Sequence, residues 1–473
     1  MHRRPLVFAL ALALLPASAF AEDLLQTYEL ARTGDPTLSA AEAGRLATKE
    51  GAVQARAAML PQIDGSAQIS RSRSDGPTTL QDETDPDAPE ISGDIESDTT
   101  SRSYGVNLRQ MVYDHSNVAR LKSQNALSRA ADFQLESEGD DLVTRTSAAY
   151  FNVLVAMETL AAAEAQEAAL KKQFDFADKR LEVGLAPITD VHEARAQYDA
   201  ARANTIVTRN ALEDAYQALT EITGQPIVNL KALPQDFQPQ LPETGDVDEW
   251  IARALDNNPA LKATEYQLRS AEADVETARA DHLPTLYLDG SYGRQTSWGE
   301  STFTSAQFDS ERPIQNDSRG PSLGLVLSVP IFTGGATQSR VRQQIAIRDQ
   351  TQDQLEQQRR ALVRNTRNAY QTLVAGISEV EARRSAVTSA RAAYEASQVG
   401  LEVGTRTVLD VLQNQQTLFN AEREYALARY NFLQSRLLLE QAAGALDAED
   451  VQDVNRLLTA DASTREVSGA TAQ

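Results

Sequence analysis

Carboxylates are the side chains of this chain best placed to do chemistry, and two of them, Asp190 and Asp410, stand at a suggestive spacing from a second polar residue. Asp190 stands three residues before Glu193, and Thr407 three before Asp410. That is the spacing of a helix capping box, in which two side chains one turn apart exchange hydrogen bonds with backbone amides. An N-cap or N3 role accounts for either aspartate with no further function. Nine more acids crowd the stretch from Asp75 to Thr100, which has no lysine or arginine. Such carboxylates can hold calcium or magnesium, but the run lacks the turn glycine and closing glutamate of a calcium loop, so it reads as a solvated surface loop. The four histidines, His2, His115, His192 and His282, are far apart, and cysteine is absent. Disulfides, thiolate zinc sites, cysteine nucleophiles and a lipid-bearing N-terminal cysteine are therefore excluded. No Ser/His/Asp set or phosphate loop is present either, so neither a cofactor nor an enzymatic activity is expected. A formal charge of −22 argues against nucleic acid as a partner.

Residues 1–21 read as an export signal, with Arg3 and Arg4 as the basic start, Leu6 to Leu15 as the apolar segment and Ala19-Phe20-Ala21 as the cleavage site. Losing Arg3 and Arg4 with it takes the charge from −22 to −24. Beyond the signal no apolar run reaches the roughly 18–20 residues of a spanning helix. If the mature chain crosses a membrane, it must do so as a β-barrel.

The elements that must position the acids are duplicated. Leu181-Glu182-Val183-Gly184 recurs as Leu401-Glu402-Val403-Gly404, and Asp190-Val191 as Asp410-Val411. Ala149-Tyr150 matches Ala369-Tyr370, Leu60-Pro61 matches Leu283-Pro284, and Asp35-Pro36 matches Asn258-Pro259. Ordered matches at one nearly constant offset mark a repeat. The first repeat spans 22–230, with helices expected at 24–58, 115–181 and 190–228 and strands at 62–71 and 103–113. A linker follows at 231–247. The second repeat spans 248–446, with helices at 248–281, 336–401 and 407–446 and strands at 285–293 and 322–332. The tail, 447–473, is expected to be partly disordered.

No proline interrupts the stretch from Ser116 to Leu181, so one helix of ~100 Å is allowed there at 1.5 Å per residue. Its seam steps by three and four through Leu142, Thr146, Ala149, Val153, Ala156 and Leu160, repeated as Leu362, Thr366, Ala369, Leu373, Gly376 and Val380. A sustained seam of this kind predicts helices packed lengthwise as coiled coils. Gly184 and Gly404 mark the hairpins between them. In the strands, Ile63, Gly65, Ala67 and Ile69 alternate with polar residues, as do Leu323, Leu325, Leu327 and Val329. One apolar and one polar face suits strands between lipid and water, and equally a half-buried soluble sheet. Four strands cannot close a membrane barrel; two copies would give eight, with an interior filled by side chains, whereas three would give twelve and room for a pore, so a channel favours three.

The hairpin runs Val183-Gly184-Leu185-Ala186-Pro187-Ile188-Thr189-Asp190-Val191 and Gly404-Thr405-Arg406-Thr407-Val408-Leu409-Asp410-Val411-Leu412 resemble those of the TolC family of outer-membrane export channels. Ala149-Tyr150-Phe151-Asn152-Val153-Leu154 and His282-Leu283-Pro284-Thr285-Leu286 are similar to the same family, and the resemblance covers nearly all of 22–446. It implies an α+β membrane protein. Three copies would form a twelve-stranded barrel in the outer-membrane lipid, continued by an α-helical tunnel in the periplasm. The implied partners are further copies of the chain, a periplasmic adaptor protein and an inner-membrane ABC or proton-driven transporter. The missing cysteine suits members without a lipid anchor.

The resemblance also assigns roles. Asp410 and Gln413 occupy the pore constriction, Gln413 replacing a second aspartate ring. Thr189, Asp190 and Arg406 occupy the links that hold the gate closed, and Leu401 stands where a tyrosine usually shares them. Val183, Gly184, Leu185, Val403, Gly404 and Thr405 occupy the tips that contact the adaptor. The implied function is a passive exit duct for efflux or type I secretion. A soluble periplasmic coiled-coil adaptor or scaffold is the alternative.

Overall fold

The computed structural model describes residues 23–80, 90–185, 187–227, 229–234, 236–241 and 246–462. The expected signal at 1–21, the middle of the acidic run and the end of the tail lie outside the described residues. In chain order the elements are α1 (Leu24–Gly34), α2 (Pro36–Ala57), β1 (Gln62–Leu80), β2 (Ile91–Tyr113), α3 (His115–Glu182), α4 (Ile188–Thr223), β3 (Lys231–Ala232), α5 (Val247–Asn257), α6 (Pro259–Ala280), β4 (Thr285–Ser305), β5 (Asp309–Ser328), α7 (Ala336–Glu402), α8 (Val408–Ala443), α9 (Ala448–Leu457) and β6 (Ala460–Asp461).

Several boundaries differ from expectation, each for a local reason. The helices expected at 24–58 and 248–281 are both broken, at Asp35 and Asn258. Pro36 and Pro259 disfavour helical backbone in the residue before them. The freed side chains then cap the next helix: Asp35 Oδ2 accepts from the Leu38 amide at 3.1 Å and Asn258 Oδ1 from the Leu261 amide at 3.0 Å. The helix expected at 190–228 starts at Ile188 and stops at Thr223, where Gly224 takes a left-handed φ of 70°. The helix expected at 407–446 likewise stops at Ala443, before Gly444. The described part of the tail, to residue 462, carries a helix and a short strand. Asp447 and Asp450 form a capping box for α9, whose Val451 and Val454 are buried. The segment expected as a linker carries β3, which pairs with β6 of the tail.

The chain divides into two compact units. The first comprises residues 46–131 and 264–354 and holds one antiparallel sheet in the order β1-β2-β4-β5. Its strands run to 19, 23, 21 and 20 residues, about twice the expected lengths. β5 also ends at Ser328, so Val329 and Ile331 fall outside the strand. The far halves of the strands were hidden because neither face there is apolar. Asp94, Glu96 and Asp98 are strand residues rather than loop residues. Arg71 reaches the Asp98 carboxylate at 2.5 Å, and Arg73 pairs with Glu96.

The pairing register sorts the two faces. On one, Ile63, Leu108, Gly290 and Leu323 lie side by side, followed by Gly65, Val106, Tyr292 and Pro321. On the other, Ser66, Gly105, Gly293 and Gly320 form one row and Gln68, Ser103, Gln295 and Ser318 the next. Leu323 is 75% exposed and Ile63 70%. So large a bare apolar face marks a surface that meets lipid or protein. Among the described residues no helix is long and apolar enough to cross a membrane.

The second unit comprises residues 1–45, 132–263 and 355–473 and holds the helical hairpins. The seam faces inward as expected: Leu142, Thr146, Ala149, Val153, Leu160, Thr366, Leu373 and Val380 are buried. Its core gathers on Tyr150, whose hydroxyl donates to the Lys231 carbonyl at 2.9 Å and accepts from the Lys231 amide at 2.8 Å. Arg429, almost fully buried, is held by Glu158 at 2.9 Å. The helix breaks meet the helix ends in both repeats. A Cβ on Gly34 would stand 2.4 Å from the Thr223 carbonyl oxygen, and one on Gly444 2.6 Å from Asn258 Cα.

Beside α9, burial pushes the Glu440 carboxyl up to about 7, with Asp450 and Asp447 adding to the rise and Arg436 and Arg253 opposing it. A carboxyl whose folded pKa lies above its unfolded value favours the fold most when protonated. Stability is therefore expected to fall as pH rises from about 4.5 to about 7 and to level off above that. Glu440→Gln should reduce that slope in denaturant midpoints measured across the window. An unaltered slope would assign the dependence to other groups.

Candidate functional site at the helical hairpins

Both hairpins turn by the same backbone device. The Leu185 amide donates to the Arg180 carbonyl at 2.8 Å and the Gly184 amide to the Leu181 carbonyl at 2.9 Å. In the second, the Thr405 amide donates to the Gly400 carbonyl at 2.8 Å and the Gly404 amide to the Leu401 carbonyl at 3.1 Å. This is the Schellman closure, which needs a left-handed residue just past the helix; Gly184 has φ 74° and Gly404 φ 78°. Packing does not cover the tips: Val183, Leu185 and Val403 are 68%, 69% and 68% exposed. Paired apolar side chains held up on rigid turns suit contact with another protein.

The two helix starts beyond the tips differ. Thr407 is the N-cap of α8, and Asp410 sits at N3 in a complete capping box. Oδ2 of Asp410 accepts from both the amide and the hydroxyl of Thr407, each at 2.9 Å, and the Asp410 amide returns a bond to Thr407 Oγ1 at 3.2 Å. The Thr407 amide, then its hydroxyl and the charge of Arg406 hold the Asp410 carboxyl below the usual carboxylate range. These bonds engage one carboxylate oxygen, so capping and a pore role are compatible in one residue.

The box expected between Asp190 and Glu193 does not form. The N-cap of α4 is Pro187, whose ring makes no cap bond, and the Asp190 amide donates to the Pro187 carbonyl at 3.2 Å. The Asp190 carboxylate lies 3.5 Å from the Thr189 hydroxyl. Among the described residues Arg406 makes no ion pair, so a link to Thr189 and Asp190 is not formed within one chain. Leu401 is half-buried and lends its carbonyl to the turn, like Leu181 in the first repeat. Gln413 is exposed one turn beyond Asp410, and its carbonyl accepts from the Thr417 hydroxyl at 2.9 Å.

Gly400 is a site residue that reading the sequence passes over. Its carbonyl accepts from the amides of Thr405 and Arg406 and from the Thr405 hydroxyl, and a Cβ there would stand 2.7 Å from Arg406 Cγ. The glycine thus lets the stem of Arg406 lie across the end of α7. The repeat itself carried the signal: the equivalent position of the first hairpin is Arg180, whose guanidinium ties back to the Leu185 carbonyl at 3.2 Å.

Comparison with known proteins agrees with this organisation. The family model described as outer membrane efflux protein matches residues 27–225 and 250–445, once in each repeat. The chain is similar to outer membrane protein TolC of Vibrio cholerae serotype O1, at 35% identity over 95% of this chain and 97% of that protein. It is also similar to the alkaline protease secretion protein AprF of Pseudomonas aeruginosa, at 29% identity over 94% of this chain and 89% of that one. Among solved structures, the open state of the Neisseria gonorrhoeae MtrE outer membrane channel shares the fold, with a TM-score of 0.66 at 18% identity over 90% of each chain. With its two matched repeats and a full-length relative at 35% identity, this chain belongs to the TolC-type outer membrane efflux protein family.

Proposed function

We propose that three copies of this chain close their sheets edge to edge into a twelve-stranded outer-membrane barrel, with the helical hairpins forming a periplasmic tunnel. As an outer membrane efflux protein, the chain serves as the exit duct of an efflux pump or type I secretion system. One observation carries the trimeric reading: β1 and β5 are open edges of a four-stranded sheet whose exposed face is apolar and whose other face is polar. Unpaired edges of this length invite pairing, and closure on other copies satisfies both at once. A soluble scaffold would leave the apolar face in water. The expected result is a heat-modifiable trimer in outer-membrane fractions. A monomer recovered from the soluble periplasm would sink the proposal.

The exposed tips at Val183, Leu185 and Val403 are read as the docking surface for a periplasmic adaptor, which couples the duct to an inner-membrane ABC or proton-driven transporter. Arg406 is read as reaching Thr189 and Asp190 of a neighbouring chain, holding the tunnel closed until partners dock. Arg406→Ser is therefore expected to raise single-channel conductance in planar bilayers. Conductance at the unsubstituted level would remove Arg406 from the gate.

A further inference from the structure

On the apolar face of the sheet, every strand makes the same transition. Going from the helix-joined end toward the strand hairpins, Ile69 of β1 is followed on that face by Arg71, Tyr104 of β2 by Arg102, Tyr292 of β4 by Arg294 and Pro321 of β5 by Arg319. Arg294 and Arg319 are cross-strand partners, beside Tyr104 in the same row. In the next row Arg102 neighbours Thr296 and Ile69.

The opposite face of these rows bears Ser66, Gly105, Gly293 and Gly320, then Gln68, Ser103, Gln295 and Ser318, with no charge. The other border of the apolar band, at Leu286 and Leu327, ends without arginine on that face. Solvation alone does not explain this placement, since a merely solvated arginine would serve as well on the polar face or at the other border.

The distances match a membrane boundary. From Leu286 to Arg294 is eight residues, roughly 26 Å along a strand, and barrel tilt shortens that to a height of about 20 Å. The apolar band of an outer-membrane barrel is about 25 Å tall. The arginines therefore begin where hydrocarbon gives way to headgroups, on the side of the strand hairpins.

Internal pairing does not use up the set. Arg71 is held by Asp98 and Arg294 by Asp317, each at 2.5 Å, whereas Arg102 and Arg319 form no ion pair among the described residues. Guanidinium offers a planar fork of donors that suits phosphate oxygens and tolerates the headgroup layer better than ammonium. We infer that Arg102 and Arg319, supported by Arg71 and Arg294, form a belt that binds the phosphate groups of a phosphorylated lipid in the outward-facing leaflet. This rests on the barrel reading, because it needs that face of the sheet to meet lipid.

The test uses the full chain, purified in detergent as the trimer and titrated with a diphosphorylated glycolipid while bound lipid is counted by native mass spectrometry. A basic residue near an anionic surface contributes about fivefold in affinity, so Arg102→Gln with Arg319→Gln should weaken capture by about 25-fold. Arg109→Gln, a charge removed from the opposite face, should leave capture unchanged. Equal capture by the double variant would overturn the belt, as would equal loss in Arg109→Gln or equal binding of the dephosphorylated glycolipid. Displacement by inorganic phosphate at lipid-like concentration would also overturn it, by showing a site for the free anion. Failure of the unsubstituted chain to enter lipid vesicles at all would instead overturn the barrel. Circular dichroism of the double variant separates lost binding from lost fold, and Arg102→Lys with Arg319→Lys should retain partial capture.

Discussion

Gly444→Ala is expected to destabilise the helical unit by about 4 kcal/mol, whereas Gly404→Ala should cost only about 1 kcal/mol. Both glycines have left-handed backbone, φ 65° and 78°, so both substitutions pay for the side chain's clash with its own carbonyl. Only Gly444 adds a collision. A Cβ there would meet the Asn258 Cα and amide nitrogen at 2.6 Å and the Asn257 carbonyl carbon at 2.7 Å. Those atoms are backbone, pinned where α5 breaks into α6, and cannot swing aside as a side chain would. At Gly404 nothing lies within 4 Å. Denaturant unfolding of the purified protein, together with the amount of trimer reaching the outer membrane, would measure both. Equal losses would mean that the junction of α5, α6 and α8 relaxes freely.

That junction shows what the sequence discloses and what it does not. Asp35-Pro36 and Asn258-Pro259 are visible as repeat partners, and the long helices follow from proline-free stretches with a three-and-four seam. The breaks themselves are harder to read, because proline is tolerated in the first turn of a helix, and only the capping bonds of Asp35 and Asn258 show that a new helix starts there. Strand length was legible only as far as the apolar face extends. Past Arg71 and Arg294 both faces are mostly polar, with scattered apolar residues such as Trp298 and Phe303, so alternation carries little signal, and pairing is stabilised by ladder bonds and ion pairs such as Arg294 with Asp317. α9 escaped notice for a related reason: ten residues with Val451 and Val454 are too short to display a period.

Site residues follow the same logic. Val183, Gly184, Val403 and Gly404 were legible because the turn demands left-handed glycine at a fixed point after a long helix. The capping box of Thr407 and Asp410 was legible from spacing. The same spacing misled at Asp190, because the residue that begins α4 is Pro187, where the second repeat has Thr407. The duplication thus leaves one hairpin with a tethered carboxylate and the other with one whose hydrogen-bond partner among the described residues is its neighbouring threonine. In the gate proposed above, the untethered Asp190 would be the acceptor between chains and Arg406 the cation offered to it.

Asp410→Ala is expected to abolish high-affinity block of the channel by multivalent cations from the periplasmic side, with an effect on the order of a hundredfold for a trivalent ion. In the proposed trimer three carboxylates would surround one axis, and each charge of the ion would interact with all three, so screened electrostatics multiply rather than add in the binding constant. The capping box strengthens this expectation. Bonds from Thr407 hold Asp410 below the usual carboxylate range, which opposes the rise that mutual repulsion in the proposed ring would cause. Block should persist as pH falls and fade only as the carboxyls protonate, below the usual carboxylate range. Thr407→Val is expected to move that fading to higher pH, because it removes the hydroxyl while leaving the amide. Gln413, exposed one turn on, is neutral, and Gln413→Asp should tighten block by adding a second ring. Single-channel recordings with titrated trivalent cation on each side would resolve all four cases. If Asp410→Ala were blocked as tightly as the unsubstituted channel, the aspartate would be a helix cap and nothing more, and the constriction would lie elsewhere.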